Sequence, residues 1–201
     1  MSNCSVGIPR EIKPGEYRVA GLPEHVRRLR AMGATVVVER GAGAGSGHAD
    51  SDYEAAGAEM VETPEALFAR ADLLWKVKEI LPPEFALLRP EHVLFTYLHA
   101  APRPRMVEAM LAAGCAAIAY EDVTDDAGRR PLLAPMSRLA GVGAMAVAAQ
   151  FAQSPYGGVG KCLFAAEGAE PMRVTILGGG TAGRAAARAA VGAGARVTLL
   201  E

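Results

Sequence analysis

Arg173-Val174-Thr175-Ile176-Leu177-Gly178-Gly179-Gly180-Thr181-Ala182-Gly183 is the stretch that decides how this chain is read. A β-branched run leads into Gly-x-Gly-x-x-Gly at Gly178, Gly180 and Gly183. Arg184 to Val191 then reads as an Ala-rich helix, and Arg196 to Leu200 as a second strand ending at the acidic Glu201. Strand, glycine turn, helix, strand and acid in this order form the opening βαβ unit of a Rossmann dinucleotide-binding domain. Gly178 allows the tight turn, Gly180 lets backbone approach a pyrophosphate, and Gly183 permits close helix–strand contact. The free N–H groups around Thr181 and Ala182, at the positive end of the helix, suit phosphate. Glu201 stands where a carboxylate accepts hydrogen bonds from ribose hydroxyls, which favours NAD over a 2′-phosphorylated cofactor.

Working outward, the 201 residues ending at Glu201 hold only two strands of this unit, where a full domain needs about six. The reading is therefore one whole domain and an incomplete Rossmann domain, either in a fragment or in a chain whose sheet another chain completes. Half the residues are apolar (51%), enough for cores, and the net charge of −1 gives no electrostatic case for nucleic acid or an anionic membrane. Cys4, Cys115 and Cys162 are scattered without metal-ligand spacing and read as free thiols of a reducing compartment. No apolar run is long enough for a membrane span and none forms a signal peptide, so the cytoplasm is the expected location and no metal is expected.

Before the glycine fingerprint, strands alternate with helices. Strands are expected at Ser5–Ile8, Thr35–Glu39, Leu73–Val77, Val93–Tyr97 and Ala116–Ala119. Helices are expected at Pro23–Met32 (Val26, Leu29 and Met32 inward), Tyr53–Ala56 (capped by Asp50 or Ser51), Glu65–Ala69, Glu84–Leu88 and Pro104–Ala113. This alternation means a parallel, doubly wound α/β sheet. A long small-residue helix, Met136–Gln153, follows as a connector, then a Gly-rich linker from Tyr156 to Gly160. The expected division is a substrate domain over residues 1–134, then connector and truncated Rossmann domain over 135–201.

Open α/β sheets bind ligands beyond the carboxyl ends of their strands. Arg18 ends the turn after the first strand, Lys78 follows Leu73–Val77, and His99 follows Val93–Tyr97. Two cations and an imidazole converging there suit a small carboxylate with an adjacent carbonyl. Arginine offers a planar fork, lysine a point charge, and histidine a proton exchanged near neutral pH. Each also has a structural alternative: a hydrogen-bonded histidine and two solvated surface cations. His25, His48 and His92 carry no partner pattern, and the Gly41–Gly47 loop lacks the Lys-Ser/Thr of a P-loop.

Gly7-Ile8-Pro9-Arg10-Glu11-Ile12-Lys13 with Glu16-Tyr17-Arg18-Val19-Ala20 resembles the N-terminus of the alanine dehydrogenase and transhydrogenase family. The resemblance continues through Leu74-Trp75-Lys76-Val77-Lys78-Glu79, Leu94-Phe95-Thr96-Tyr97-Leu98-His99, Ile118-Ala119-Tyr120-Glu121 and Pro131-Leu132-Leu133-Ala134-Pro135-Met136-Ser137 to the glycine fingerprint. It implies NAD-dependent oxidative deamination of L-alanine to pyruvate and ammonium, in a hexameric homo-oligomer. By the same resemblance Arg18 and Lys78 hold the substrate, His99 is the acid/base, Leu133 lines the pocket and Ser137 approaches the cofactor. Two rivals are a transhydrogenase-like NAD(H)-binding subunit, which His99 argues against, and a truncated non-catalytic binding or assembly module. Arg138, Val142, Leu22 before Pro23 and the loop Ala165–Ala169 depart from the family pattern. The 201-residue chain alone is expected to lack dehydrogenase activity.

Overall fold

A computed structural model of the chain describes residues 4–201. These residues divide into two compact units, one ending at Val123 and the other spanning Thr124–Glu201.

In the first unit six parallel strands form one sheet: β1 (Ser5–Ile8), β2 (Thr35–Glu39), β3 (Glu59–Val61), β4 (Leu73–Lys78), β5 (Val93–Tyr97) and β6 (Ala116–Ala119). Their spatial order is β3-β2-β1-β4-β5-β6. The chain winds one way from β1 to β3 and the other way from β4 to β6, so the order reverses between β1 and β4. Helices α1 (Pro23–Ala31), α2 (Asp50–Ala55), α3 (Pro64–Arg70) and α4 (Pro104–Ala113) cover it. The β-branched runs become strands because both faces are buried. Val36 and Val38 of β2 pack with Ile8, Val26 and Tyr53 on the face of α1 and α2, while Val37 joins Leu67, Phe68, Leu74 and Met106 on the other. Gly7 lets α3 seat on β1, for a Cβ there would stand 2.6 Å from Ala71 Cβ.

Several local expectations are corrected. Met32 lies beyond α1 and is exposed, because the helix stops at Ala31 and Gly33 turns the chain with φ +89°. The cap of α2 is not Asp50 or Ser51. Ala49 holds the cap position, its amide donating to Asp52 Oδ2 at 2.8 Å, while Asp50 Oδ1 accepts from the Gly41 amide. Residues 82–87 form a 3₁₀ turn, which stops at Leu88, where the backbone becomes extended. The edge strand β3 has no sequence signature; three residues paired with β2 are made by their neighbour.

The second unit holds α5 (Leu133–Phe151), β7 (Arg173–Leu177), α6 (Thr181–Gly192) and β8 (Arg196–Leu200), with β7 and β8 parallel. Helix α5 starts three residues before the expected Met136, because Pro135 is tolerated in a first turn. Its small residues pack on α6: a Cβ on Gly141 would overlap the Ala182 carbonyl oxygen and sit 2.9 Å from Ala185 Cβ. Met145, Leu163, Ala186 and Ala190 form the core beneath. Among the described residues no helix is long and apolar enough to cross a membrane.

Candidate active site

The reversal between β1 and β4 opens a crevice at the carboxyl ends of the strands, the place where such sheets take ligands. Three segments meet there: the loop after β1, the end of β4, and the turn after β5.

The loop after β1 is tied down by Glu11. Its Oε1 accepts from the amides of Val77 and Lys78 at 2.6 and 3.2 Å, where the β4–β5 register shifts. Its Oε2 lies 3.6 Å from the ammonium of buried Lys76, which donates to Glu84 at 2.8 Å. Burial pushes the Glu11 carboxyl up, against the pull of Lys76 and the two amides. Arg18, further along this loop, places Nε and Nη2 on the two oxygens of Glu16 at 2.8 and 2.6 Å. That bidentate pair holds the Glu16 carboxyl below its usual range.

Tyr97 at the end of β5 joins the three candidates. Lys78 places its ammonium 5.8 Å from the centre of the Tyr97 ring. The His99 imidazole lies parallel to the same ring, at 6.0 Å and 9°. Arg18 acts electrostatically on the phenol, opposing the rise that burial gives it. The structure thus gathers Arg18, Lys78 and His99 about one aromatic ring. Lys78 is the last residue of β4 rather than the first beyond it.

His99 and His92 differ instructively. His92 is fully buried; its Nδ1 accepts from the Arg89 amide at 3.0 Å, so Nε2 carries a proton toward the Phe68 carbonyl at 2.9 Å. That is a structural histidine. His99 is partly open, with Nδ1 3.7 Å from Glu121 Oε1. An imidazole that reaches solvent beside a carboxylate can exchange protons with a bound molecule. Sequence reasoning missed Tyr97, Glu11 and Glu121 as parts of this crevice. No strand period could have found Tyr97, because β5 ends there and His99 lies in the turn beyond it with φ 47°.

The second unit carries the glycine turn. Gly178 has φ +102°, and its amide donates to Leu200 O at 2.7 Å. A Cβ on Gly183 would overlap the Gly178 carbonyl oxygen, whereas one on Gly180 would meet nothing within 4 Å. Gly183 is therefore required by the chain itself, and Gly180 leaves space above the start of α6. Glu201 reaches this turn: a Cβ on Gly179 would stand 2.9 Å from Glu201 Oε1. Thr181 opens α6, and Ala182 turns its carbonyl to Gly141. Leu133, Ser137 and Thr181 line one cavity of ≈ 400 Å³ with Arg129, Arg130 and Ala134. Open space at Gly180, a helix start and a carboxylate at the turn fit a dinucleotide. Among the described residues no cluster of three or more His, Cys, Asp or Glu could hold a metal ion.

Comparison with known proteins agrees with this architecture. Residues 7–140 match the model for the alanine dehydrogenase/PNT N-terminal domain, and residues 144–201 match that for the C-terminal domain. The alanine dehydrogenase of Mycolicibacterium smegmatis is 46% identical over 196 residues, covering 98% of this chain and 53% of that protein. A solved L-alanine dehydrogenase superposes with a TM-score of 0.88 at 42% identity, over 98% of this chain and 54% of the other. A transhydrogenase from Sinorhizobium meliloti superposes at 0.78 with 30% identity, over 97% and 56%. The chain spans about half the length of the curated relatives it matches. With two consecutive family models covering nearly all of its residues, the chain belongs to the alanine dehydrogenase/PNT family.

Proposed function

We propose that the full-length protein is an NAD-dependent alanine dehydrogenase. L-alanine, NAD⁺ and water become pyruvate, ammonium, NADH and a proton. The observation that carries this reading is the gathering of Arg18, Lys78 and His99 about Tyr97 at the carboxyl ends of the sheet. The curated relatives named alanine dehydrogenase support it.

In this reading Arg18 and Lys78 hold the substrate carboxylate and orient the α-carbon. NAD, held by Gly178, Gly180, Thr181, Ala182, Gly183 and Glu201 with Ser137 approaching it, supplies the hydride acceptor. His99 accepts a proton from the water that adds to the imine carbon. It returns the proton to the departing amine as the carbinolamine collapses to pyruvate and ammonium. Leu133 lines the substrate pocket. Functionally, residues 1–134 form the substrate domain and 135–201 the connector and the start of the dinucleotide domain. The working form is a homo-oligomer in the cytoplasm, in keeping with three free cysteines.

The test is NADH formation from L-alanine by the full-length chain, with NAD affinity measured in parallel. Turnover with alanine is expected. Arg18→Lys should raise the KM for pyruvate more than it lowers kcat, because an ammonium cannot reproduce the guanidinium fork. An unchanged KM would remove Arg18 from the substrate site. Hydride exchange between nicotinamide cofactors without alanine turnover would favour the transhydrogenase-like alternative.

A further inference from the structure

Among the described residues His99 is the one residue other than glycine with positive φ, at 47°. A non-glycine residue keeps such a left-handed conformation only where its surroundings over-determine it. Here both sides of the residue are held. Glu121 accepts the His99 amide on Oε1 at 2.6 Å and the Leu98 amide on Oε2 at 3.1 Å. One carboxylate thus spans two consecutive amides. The His99 carbonyl accepts from Arg103 Nη1 at 3.0 Å, and Arg103 Nη2 pairs with buried Glu79 at 2.7 Å. Lys13 donates to the same Glu79 oxygen at 2.6 Å, which links this support to the loop after β1.

The Glu121 oxygen that takes the His99 amide also lies 3.7 Å from His99 Nδ1. That is too long for a hydrogen bond and close enough for a carboxylate to act on an imidazolium. Burial would raise the Glu121 carboxyl, yet the two amides and His99 hold it below its ordinary value, so it is anionic near neutrality. Resting on the proposed acid/base role of His99, we infer that Glu121 is its positioning residue. It fixes the left-handed turn that lays the imidazole along Tyr97, and it keeps a negative charge beside Nδ1 while the ring carries its second proton. Arg103, braced by Glu79, holds the opposite side of the same peptide. Glu121 itself need not touch the substrate.

The test is a double-mutant cycle in the full-length chain, read as reductive amination of pyruvate. Glutamine at 121 offers one acceptor where two amides donate, and no charge. Glu121→Gln should lower kcat by about 10- to 100-fold while the KM for pyruvate changes by less than about threefold. In a His99→Ala background the same substitution should change kcat by less than about twofold, since a residue acting through His99 has nothing left to act on. Glu121→Asp keeps the charge and both oxygens and should recover part of the lost kcat. It also serves if the glutamine variant does not fold. Equal losses in both backgrounds, or a KM change as large as the kcat change, would overturn the inference. If His99→Ala itself leaves kcat unchanged, the proposed function fails first, and that outcome is separate from failure of the Glu121 inference alone.

Discussion

The two units build their candidate ligand sites by different means. In the first, the candidate site is made of long side chains, each set by a carboxylate: Arg18 by Glu16, the amide of Lys78 by Glu11, the peptide of His99 by Glu121. In the second, the turn is made of backbone, and its glycines matter for the space they leave. A site of side chains can do chemistry that depends on protonation. A turn of backbone can bind an anion, but its N–H groups do not exchange a proton during a reaction. In the proposed function, that difference is why the proton transfer is put in the first unit and the dinucleotide in the second.

Breaking the first region should have the largest effect. His99→Ala is expected to lower turnover by about 10²–10⁴-fold with NAD affinity nearly unchanged, as general acid–base groups contribute on that scale. Steady-state kinetics with parallel NAD titration checks it. A loss below roughly fivefold would return His99 to a structural role like that of His92.

The second region should break in two distinguishable ways. Gly183→Ala drives a methyl group into the Gly178 carbonyl, so both stability and NAD binding should suffer, the former by about 1–3 kcal/mol. Gly180 has φ −68° and open space, so Gly180→Ala should leave stability within about 0.5 kcal/mol and weaken NAD alone. Thermal unfolding and calorimetric NAD titration of the two variants separate these outcomes. Equal effects of both substitutions would contradict the distinction between a glycine the chain needs and one the ligand needs.

How much of this was legible in sequence follows from the same contrast. The limits of β1, β2, β5, β6 and α4 can be read directly, since apolar or β-branched runs mark the strands and Pro104 and Gly114 bound the helix. The glycine turn is legible because its spacing encodes backbone geometry. The cations and the imidazole stand out because they sit at strand ends. Their carboxylate supports do not, since Glu11, Glu79 and Glu121 are loop or strand-end glutamates indistinguishable from surface charge until tertiary partners enclose them. Edge strand β3 escapes for a related reason: Glu59–Val61 has no pattern of its own, and pairing with β2 makes it a strand.

Those buried carboxylates should also shape stability against pH, the subtlest of these effects. Burial pushes Glu79 up, but Lys13, Arg103 and backbone hold it below the ordinary 4.5. A depressed folded value contributes stability above the unfolded value, and this is lost as pH falls from about 4.5 through the folded value. Glu11 and Glu39 are raised by burial, so they act oppositely; their penalty above the folded value is relieved on acidification. Glu79→Gln should therefore give a less stable chain near neutrality with a shallower acid limb. Unfolding midpoints measured from about pH 3 to pH 6 check this, and an unaltered acid limb would show that Glu79 adds nothing to it.

The most direct measurement is a crystal structure of the full-length chain with pyruvate and NADH bound. The expected result is the pyruvate carboxylate on Arg18 and Lys78, with its 2-oxo group within hydrogen-bond reach of His99. Pyruvate bound away from the carboxyl ends of β1, β4 and β5, or bound there with His99 out of reach, would contradict the assignment.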